Sequence, residues 1–231
     1  MTRDKAKAFT SIVFDLDGTL LDTAPDVHLC SNLALRAMGL PEISLAQARA
    51  SIGPGPDNFA RVTLGEENMH RFGEFIALFR QLYSDRCLVS TRPFPGVMDM
   101  LQSLQGHRLV VATNKPGPYT KRILAGLNME PYFDVVICPE EVTHLKPHPE
   151  MILTAMARTA ATPETTLVVG DTDNDIIAGK AAGARTCAVT WGYGPRATLE
   201  SLGPDFVISR AAELFSLLRR RQGGDDIRQR D

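Results

Sequence analysis

Long hydrophobic runs are missing from this sequence. Its apolar stretches reach only the length of a strand, whereas a membrane-spanning helix needs about 18 or more consecutive apolar residues. Near the N-terminus, Asp15 and Asp17 interrupt a short apolar run well before it reaches the length of a signal peptide. We therefore expect a protein with neither a membrane segment nor a secretion signal.

An excess of either charge is also missing. The 231 residues include 25 lysines and arginines against 27 aspartates and glutamates. This balance excludes a global field that would attract nucleic acid or an anionic membrane surface as the main partner. Any site for an anion must therefore be built locally.

Cysteine is scarce, with four residues that share no C-x-x-C spacing and lie within apolar segments. They are Cys30, Cys87, Cys138 and Cys187. This distribution is typical of reduced thiols in a core, and it disfavours a cysteine metal site or a disulfide framework. It favours a cytoplasmic protein.

Short, almost continuously apolar runs alternate with segments of helical periodicity. Such runs are typical of strands that are buried on both faces, and strands that alternate with helices predict a parallel sheet. The sequence therefore predicts an α/β protein with a Rossmann-like parallel sheet. The predicted strands are residues 11–14, 109–112, 134–138, 167–169, 186–190 and 206–208, and the predicted helices begin near residues 118, 149 and 173.

Residues 22–92 break this alternation, because they show helical periodicity without an intervening strand. We predict an inserted α-helical cap there, and an α/β core made of residues 1–21 and 93–231. The expected cap helices are residues 25–38, 45–52, 59–63 and 68–89. The last residues, 219–231, are charged and almost without apolar content, which predicts a frayed tail.

Two carboxylates, Asp15 and Asp17, follow the first predicted strand, and Gly18 can take the unusual backbone angles of a turn. Their spacing lets both side chains point to one side. An Asp-Gly pair on its own is commonly just a turn.

Further polar residues follow later strands or loops, and each has a simple structural alternative. Thr113 or Asn114 could cap a helix, Lys146 could be a solvated lysine, and Asp171 to Asp175 could cap the following helix. Because the carboxyl ends of parallel strands share one edge of a sheet, the whole set predicts an active site at that edge.

These motifs resemble the four motifs of the haloacid dehalogenase superfamily: DLDGTL from Asp15, Thr113, Lys146-Pro147, and Gly170-Asp171 to Asp175. Within the superfamily, the segments FDLDGTLLDTAP, ATNKP and TWGYG most resemble phosphoglycolate phosphatases. The resemblance covers residues 12–209. In TWGYG we expect Trp191 and Tyr193 to be packing residues.

The resemblance implies a Mg²⁺-dependent phosphatase that acts on a small phosphorylated metabolite, with 2-phosphoglycolate as the expected substrate. It implies that Asp15 is the nucleophile that accepts the phosphoryl group and that Asp17 is the general acid and base. Lys146 would place a positive charge on the phosphate or on Asp15. Thr113, Asn114 and the backbone N–H of Leu16 would bind the phosphate oxygens.

The same resemblance implies that Mg²⁺ binds at Asp15, Asp17, Asp171 and Asp175, since Mg²⁺ prefers carboxylates, waters and phosphate oxygens. Gly53 and Gly55 would belong to the cap loop that faces the substrate. Arg61, which follows that loop, is the expected partner of the substrate carboxylate. We expect a monomer or a homodimer.

Alternatives remain on the same scaffold. A phosphatase of a phosphosugar or a nucleotide, or a phosphosugar mutase, is compatible with these residues. Asp17 and Asp171 argue against a dehalogenase, and the lack of lysine in residues 22–92 argues against a phosphonate hydrolase that uses a cap lysine. A non-enzymatic phospho-acceptor module is a remote alternative, because such a module has no inserted cap.

Overall fold

The structure is a computed structural model that describes residues 8–222, with the side chains of residues 56, 57 and 220–222 excepted. The predicted tail, 219–231, falls largely outside these residues. Its first part, up to Gln222, belongs to the last helix.

Six strands form one parallel sheet with the order β5-β4-β1-β6-β7-β8, which confirms the predicted α/β fold. The remaining two strands, β2 and β3, form an antiparallel pair. In chain order the strands are β1 Ser11–Phe14, β2 Leu21–Asp22, β3 Arg92–Pro93, β4 Arg108–Ala112, β5 Val135–Ile137, β6 Thr166–Gly170, β7 Arg185–Val189 and β8 Phe206–Ile208.

Helices follow most of the strands. They are α1 Ala24–Ala37, α2 Leu45–Ser51, α3 Pro56–Leu64, α4 Phe72–Arg86, α5 Val97–Ser103, α6 Gly117–Gly126, α7 Glu150–Thr159, α8 Asp173–Ala181, α9 Arg196–Ser201 and α10 Ala212–Gln222. Helix α8 is followed by Gly183 with a positive φ of 75°, the C-terminal glycine that the sequence predicts. No helix in residues 8–222 is both long and apolar enough to cross a membrane.

The central strand β1 is fully buried and supplies apolar side chains to both faces of the sheet. Because side chains alternate along a strand, Ile12 and Phe14 belong to one apolar cluster and Val13 to the other. The first cluster continues into the inserted helices, and the second packs under α7 and α8. The carboxyl end of β1 is therefore held rigidly from both sides.

Helices α1 to α4 lie between β2 and β3, so the chain enters and leaves this helical insertion at one place. Helix α3 begins at Pro56, earlier than predicted, since proline is favoured in the first turn of a helix. The predicted helix 68–89 is shorter than expected. A 3₁₀ segment, Glu66–Arg71, comes first, and Arg71 donates a hydrogen bond to the carbonyl of Met38.

Candidate active site

The loop after β1 places Asp15 and Asp17. The backbone N–H of Asp15 donates to the carbonyl of Val169 at 3.0 Å, which extends the pairing with β6 by one residue. Gly18 has a φ of 90°, and a Cβ atom there would lie 2.2 Å from Oδ2 of Asp171. Glycine is therefore required at this position by both conformation and space.

Lys146 joins two carboxylates that lie far apart in sequence. Its Nζ atom is 2.6 Å from Oδ1 of Asp15 and 2.6 Å from Oδ1 of Asp175. Burial alone lowers the pKa of Lys146, but the two carboxylates outweigh burial and raise it above the usual lysine value. Lys146 therefore stays charged beside Asp15. Burial raises the pKa of Asp15 well above its ordinary value, although Lys146 opposes this effect.

Asp171 follows β6 and is completely buried. Its carboxylate accepts hydrogen bonds from the hydroxyl of Thr19 at 2.8 Å and from the backbone N–H of Tyr193 at 2.7 Å. Burial first, and the neighbouring Asp175 next, raise the pKa of Asp171 to about 7. A Cβ atom on Gly192 would lie 2.3 Å from Cβ of Asp171, so the TWGYG segment closely encloses this carboxylate.

The side chains of Asp15, Asp171 and Asp175 could hold a metal ion, because one oxygen from each lies within 4.8 Å of the others. The site gathers four carboxyl groups, those of Asp15, Asp17, Asp171 and Asp175, whereas Lys115 and Lys146 supply two ammonium groups to three of them. A divalent cation that prefers oxygen ligands fits this set. The structure therefore offers three of the four expected metal ligands as one group.

The fourth expected ligand, Asp17, lies outside this group. Its carboxylate accepts hydrogen bonds from the hydroxyl of Thr23 at 2.5 Å and from Nζ of Lys115 at 3.0 Å. The prediction that the side chain of Asp17 joins the metal ligands is therefore not supported by this geometry. Because Asp17 faces the same cavity as Asp15, its placement suits proton transfer to a bound substrate.

The sequence pattern does not distinguish Lys115 as a site residue, although it lies in the ATNKP segment. It is 9 % exposed and reaches Asp17 and the hydroxyl of Tyr83. A lysine after a strand gives no local signal that separates a buried ion pair from a solvated side chain. The contact depends on α4, whose position the sequence pattern does not reveal.

Asn114 connects the core to the inserted helices. Its amide donates to the carbonyl of Gly53 at 2.8 Å and to the carbonyl of Lys146 at 2.9 Å, while its oxygen accepts from the backbone N–H of Lys146 at 3.0 Å. Asn114 thereby fixes the backbone that carries Lys146. Gly53, Gly55 and Thr113 line the same cavity of ≈ 350 Å³ as Asp15, and Leu16 lies buried in the loop beneath it.

Arg61, the expected partner of a substrate carboxylate, does not line this cavity. Its side chain is 51 % exposed and forms an ion pair with Glu66. Phe59, two residues earlier on α3, does line the cavity. Since a helix turns by about 100° per residue, side chains two positions apart point in nearly opposite directions. The helical phase of α3 therefore directs the side chain of Arg61 away from the cavity.

Trp191 and Tyr193 do more than pack. The indole N–H of Trp191 donates to the carbonyl of Thr19 at 3.0 Å. The hydroxyl of Tyr193 accepts hydrogen bonds from the backbone N–H groups of Thr23 and Ala24, and it donates to Oδ1 of Asp22. These two side chains hold the segment that leads from the catalytic loop into α1.

This architecture is shared with known proteins. Residues 12–189 match the model of the haloacid dehalogenase-like hydrolases. The chain belongs to this family. It is 37 % identical over 210 residues to the phosphoglycolate phosphatase of Aquifex aeolicus, a match that covers 90 % of this chain and 95 % of that protein. It is 32 % identical to the N-acetylmuramic acid 6-phosphate phosphatase of Pseudomonas aeruginosa, covering 95 % and 98 %.

A solved structure shows the same fold. The crystal structure of a "predicted phosphoglycolate phosphatase" from Haemophilus somnus superimposes with a TM-score of 0.85 at 29 % identity, over 90 % of this chain and 97 % of that one. The parallel sheet and the inserted helices are thus common to this haloacid dehalogenase-like hydrolase and that relative.

Proposed function

We propose that this phosphoric monoester hydrolase removes phosphate from 2-phosphoglycolate and releases glycolate. The observation that supports phosphatase chemistry most directly is the carboxylate of Asp15, which faces the cavity from the end of β1 and is held by Lys146. The similarity to phosphoglycolate phosphatases over most of both chains supports this substrate.

In the proposed reaction, an oxygen of Asp15 attacks the phosphorus atom and the ester bond breaks. Asp17 donates a proton to the leaving alkoxide, which departs as the alcohol. Asp17 then takes a proton from a water molecule that attacks the phosphoryl group on Asp15. This second step releases inorganic phosphate and restores both aspartates.

The neighbouring groups stabilise the charge that moves during these steps. Lys146 neutralises negative charge beside Asp15, and we propose that the hydroxyl of Thr113 binds phosphate oxygens at the edge of the cavity. The side-chain amide of Asn114, which the sequence predicted to bind phosphate, instead holds the backbone of Lys146 and the carbonyl of Gly53. We propose that Asp15, Asp171 and Asp175 hold Mg²⁺, which when bound supplies positive charge to the phosphate. Asp171 is fixed for this purpose by Thr19 and Tyr193.

We also propose that residues 22–92 act as a cap over a core of residues 1–21 and 93–231. The antiparallel pair of β2 and β3 joins the two parts, and Asn114 bonds to Gly53 across the cavity. Closure of such a cap excludes water from the reaction. All four cysteines are buried and unpaired, which is consistent with our further proposal that the enzyme works in the cytoplasm.

A phosphosugar phosphatase is the second candidate. The relative from Pseudomonas aeruginosa carries the name of an amino-sugar phosphate. The cavity of ≈ 350 Å³ also lies within the range of pockets that hold ligands larger than 2-phosphoglycolate. The test is a panel of phosphorylated metabolites with Mg²⁺ that includes 2-phosphoglycolate, sugar phosphates and nucleotides. The highest kcat/KM should belong to 2-phosphoglycolate, and a higher value for a sugar phosphate or nucleotide would reject the proposed substrate.

A further inference from the structure

Lys115 is a buried cation that lies on the wall of the cavity. It belongs to the loop between β4 and α6. Its Nζ atom lies 3.0 Å from Oδ1 of Asp17 and 2.9 Å from the hydroxyl of Tyr83, and it stands 4.9 Å from the centre of the Tyr83 ring. Burial lowers the pKa of Lys115, but Asp17 and Tyr83 outweigh it and raise the pKa above the usual lysine value. Lys115 is therefore a permanent positive charge.

The hydrogen bonds of the Lys115 ammonium group differ in length. An ammonium group has three N–H donors. Among the described residues, Asp17 and Tyr83 are the hydrogen-bond partners of Nζ. Two of the donors go to Oδ1 of Asp17 at 3.0 Å and to the Tyr83 hydroxyl at 2.9 Å. The third goes to Oδ2 of the same carboxylate at 3.4 Å, the longest of the three bonds, and a ligand carboxylate in the cavity can replace this contact.

The rest of the cavity makes this donor important. Much of the wall beside Tyr83 is apolar and includes Val27, Ile76 and Phe79. A carboxylate that enters such a cavity without a cationic partner loses its hydration without compensation. Among the described residues that line the cavity, the arginines and lysines are Lys115 and Arg80, and Arg80 is exposed.

The position of Lys115 matches the shape of the proposed substrate. Asp17 must lie beside the ester oxygen in order to protonate it. In 2-phosphoglycolate a single methylene separates that oxygen from the carboxylate carbon. A cation in contact with Asp17 is therefore within reach of the carboxylate while phosphate occupies the site beside Asp15.

We propose that Lys115, with the hydroxyl of Tyr83 beside it, binds the carboxylate of the substrate and makes the enzyme select phosphate esters of short hydroxy acids. This inference rests on the proposed function and deepens it. It assigns to the ATNKP segment the role that the sequence suggested for Arg61. It also makes α4, which carries Tyr83, part of the specificity site.

The test compares 2-phosphoglycolate with the phosphate ester of glycolamide, which has the same shape without the negative charge. For the unaltered enzyme, kcat/KM should favour the acid on the order of 100-fold, because a site built for a charged partner rejects its neutral analogue. In Lys115→Met this preference should fall to about threefold or less. In Lys115→Arg, which keeps the charge, at least about tenfold preference should remain.

Two control variants separate local from general effects. Lys121→Met removes an exposed lysine on α6, and Arg61→Ala removes the arginine on α3; both should keep the preference of the unaltered enzyme. A preference that survives in Lys115→Met, or that collapses in Arg61→Ala, would overturn the assignment. If Lys115→Met does not fold, the same kcat/KM preference measured for Tyr83→Phe decides whether the assignment holds. A preference lowered about threefold or more supports the proposal, and an unchanged preference overturns it.

The outcomes also separate this inference from the proposed function. If the unaltered enzyme turns over 2-phosphoglycolate well but Lys115→Met keeps the preference for the acid over the amide, the role of Lys115 is rejected. The proposed substrate is then not affected. Poor turnover of 2-phosphoglycolate by the unaltered enzyme, relative to other phosphorylated metabolites, rejects the substrate and this inference together.

Discussion

Lys146 donates a hydrogen bond of 2.6 Å to Asp15, although 131 residues separate them in the chain. The same ammonium group contacts Asp175 at the start of α8. Three strand ends of the sheet are thus connected through Lys146, because Asn114, after β4, also fixes the backbone of this residue. This arrangement leaves the second oxygen of Asp15 available for chemistry.

The first prediction concerns that oxygen. Asp15→Asn should lower kcat by at least about 1,000-fold, since an amide cannot accept the phosphoryl group. The fold should survive, because Lys146 keeps its ion pair with Asp175. Steady-state kinetics and circular dichroism test both parts. Asp99→Asn, which changes an exposed aspartate on α5, is the matched control and should retain normal activity. Near-normal turnover by Asp15→Asn would contradict the mechanism.

The second prediction concerns the proposed role of Asp17 as the proton donor. Asp17→Asn should lower kcat by about 10² to 10⁴ for an alkyl phosphate, because the alkoxide then leaves without protonation. The loss should be much smaller for p-nitrophenyl phosphate, whose leaving group is stable as an anion. Measuring kcat for both substrates with Asp17→Asn distinguishes the loss of a general acid from general damage to the active site. Equal losses on the two substrates would argue against an acid role for Asp17.

The sheet and the group of polar residues at its edge could be predicted from the sequence because their signals are local. An apolar run that ends at Asp15, at Thr113 or at Gly170 shows both the strand and the polar residue that follows it. Parallel pairing then brings these ends together without further information. The strand bounds differ from the predicted ones by only one residue at several ends, as for β6 at Thr166–Gly170.

The contacts around Lys115 could not be predicted in the same way. The contact between Lys115 and Asp17 spans 98 residues and is completed by Tyr83 from α4. The place of Arg61 in the sequence favours it as the partner of the substrate carboxylate, but the helical phase of α3 directs its side chain away from the cavity. The contacts of Lys115 and the direction of Arg61 depend on how the helices are rotated about their axes and packed. Hydrophobic periodicity defines this rotation too coarsely to place a single polar side chain.

The third prediction follows from the buried carboxylates. Burial raises the pKa of Asp171 from an ordinary value of 3.8 to about 7, and it raises that of Asp15 as well. At these two carboxyl groups the folded, metal-free protein therefore binds more protons than the unfolded chain between about pH 4 and pH 7. Its free energy of unfolding should fall as the pH rises through this range. The stabilisation that these carboxyl groups contribute is fully present below their pKa in the unfolded chain. It is lost as the pH rises above their pKa in the folded protein.

Saturating Mg²⁺ should reverse this loss, because it binds the ionised carboxylates and stabilises the folded state. Denaturant unfolding across the pH range, once with a chelator and once with Mg²⁺, measures the effect. Asp171→Asn should have a shallower pH dependence without metal and a smaller gain from Mg²⁺. A metal-free protein that becomes more stable between pH 5 and pH 7 would contradict the prediction. The same chelator should abolish turnover, and added Mg²⁺ should restore it.

The fourth prediction concerns the hydroxyl of Tyr193. It accepts hydrogen bonds from the backbone N–H groups of Thr23 and Ala24 at 2.8 and 3.0 Å, and it donates to Asp22 at 2.8 Å. Tyr193→Phe keeps the ring but leaves two backbone donors at the start of α1 without this partner. Each unsatisfied donor costs about 1 to 3 kcal/mol when it is buried.

Tyr193→Phe should therefore lower the free energy of unfolding by about 1 to 3 kcal/mol, and proteolysis should cleave the segment before α1 more readily. Denaturant unfolding and limited proteolysis measure these effects. Tyr132→Phe is the matched control, since the structure shows no hydrogen bond from the Tyr132 hydroxyl to any described residue, and it should change neither quantity. Because Asp17 bonds to Thr23 in the same segment, kcat should fall together with stability in Tyr193→Phe. Equal stability of the two variants would show that Tyr193 acts only through its ring.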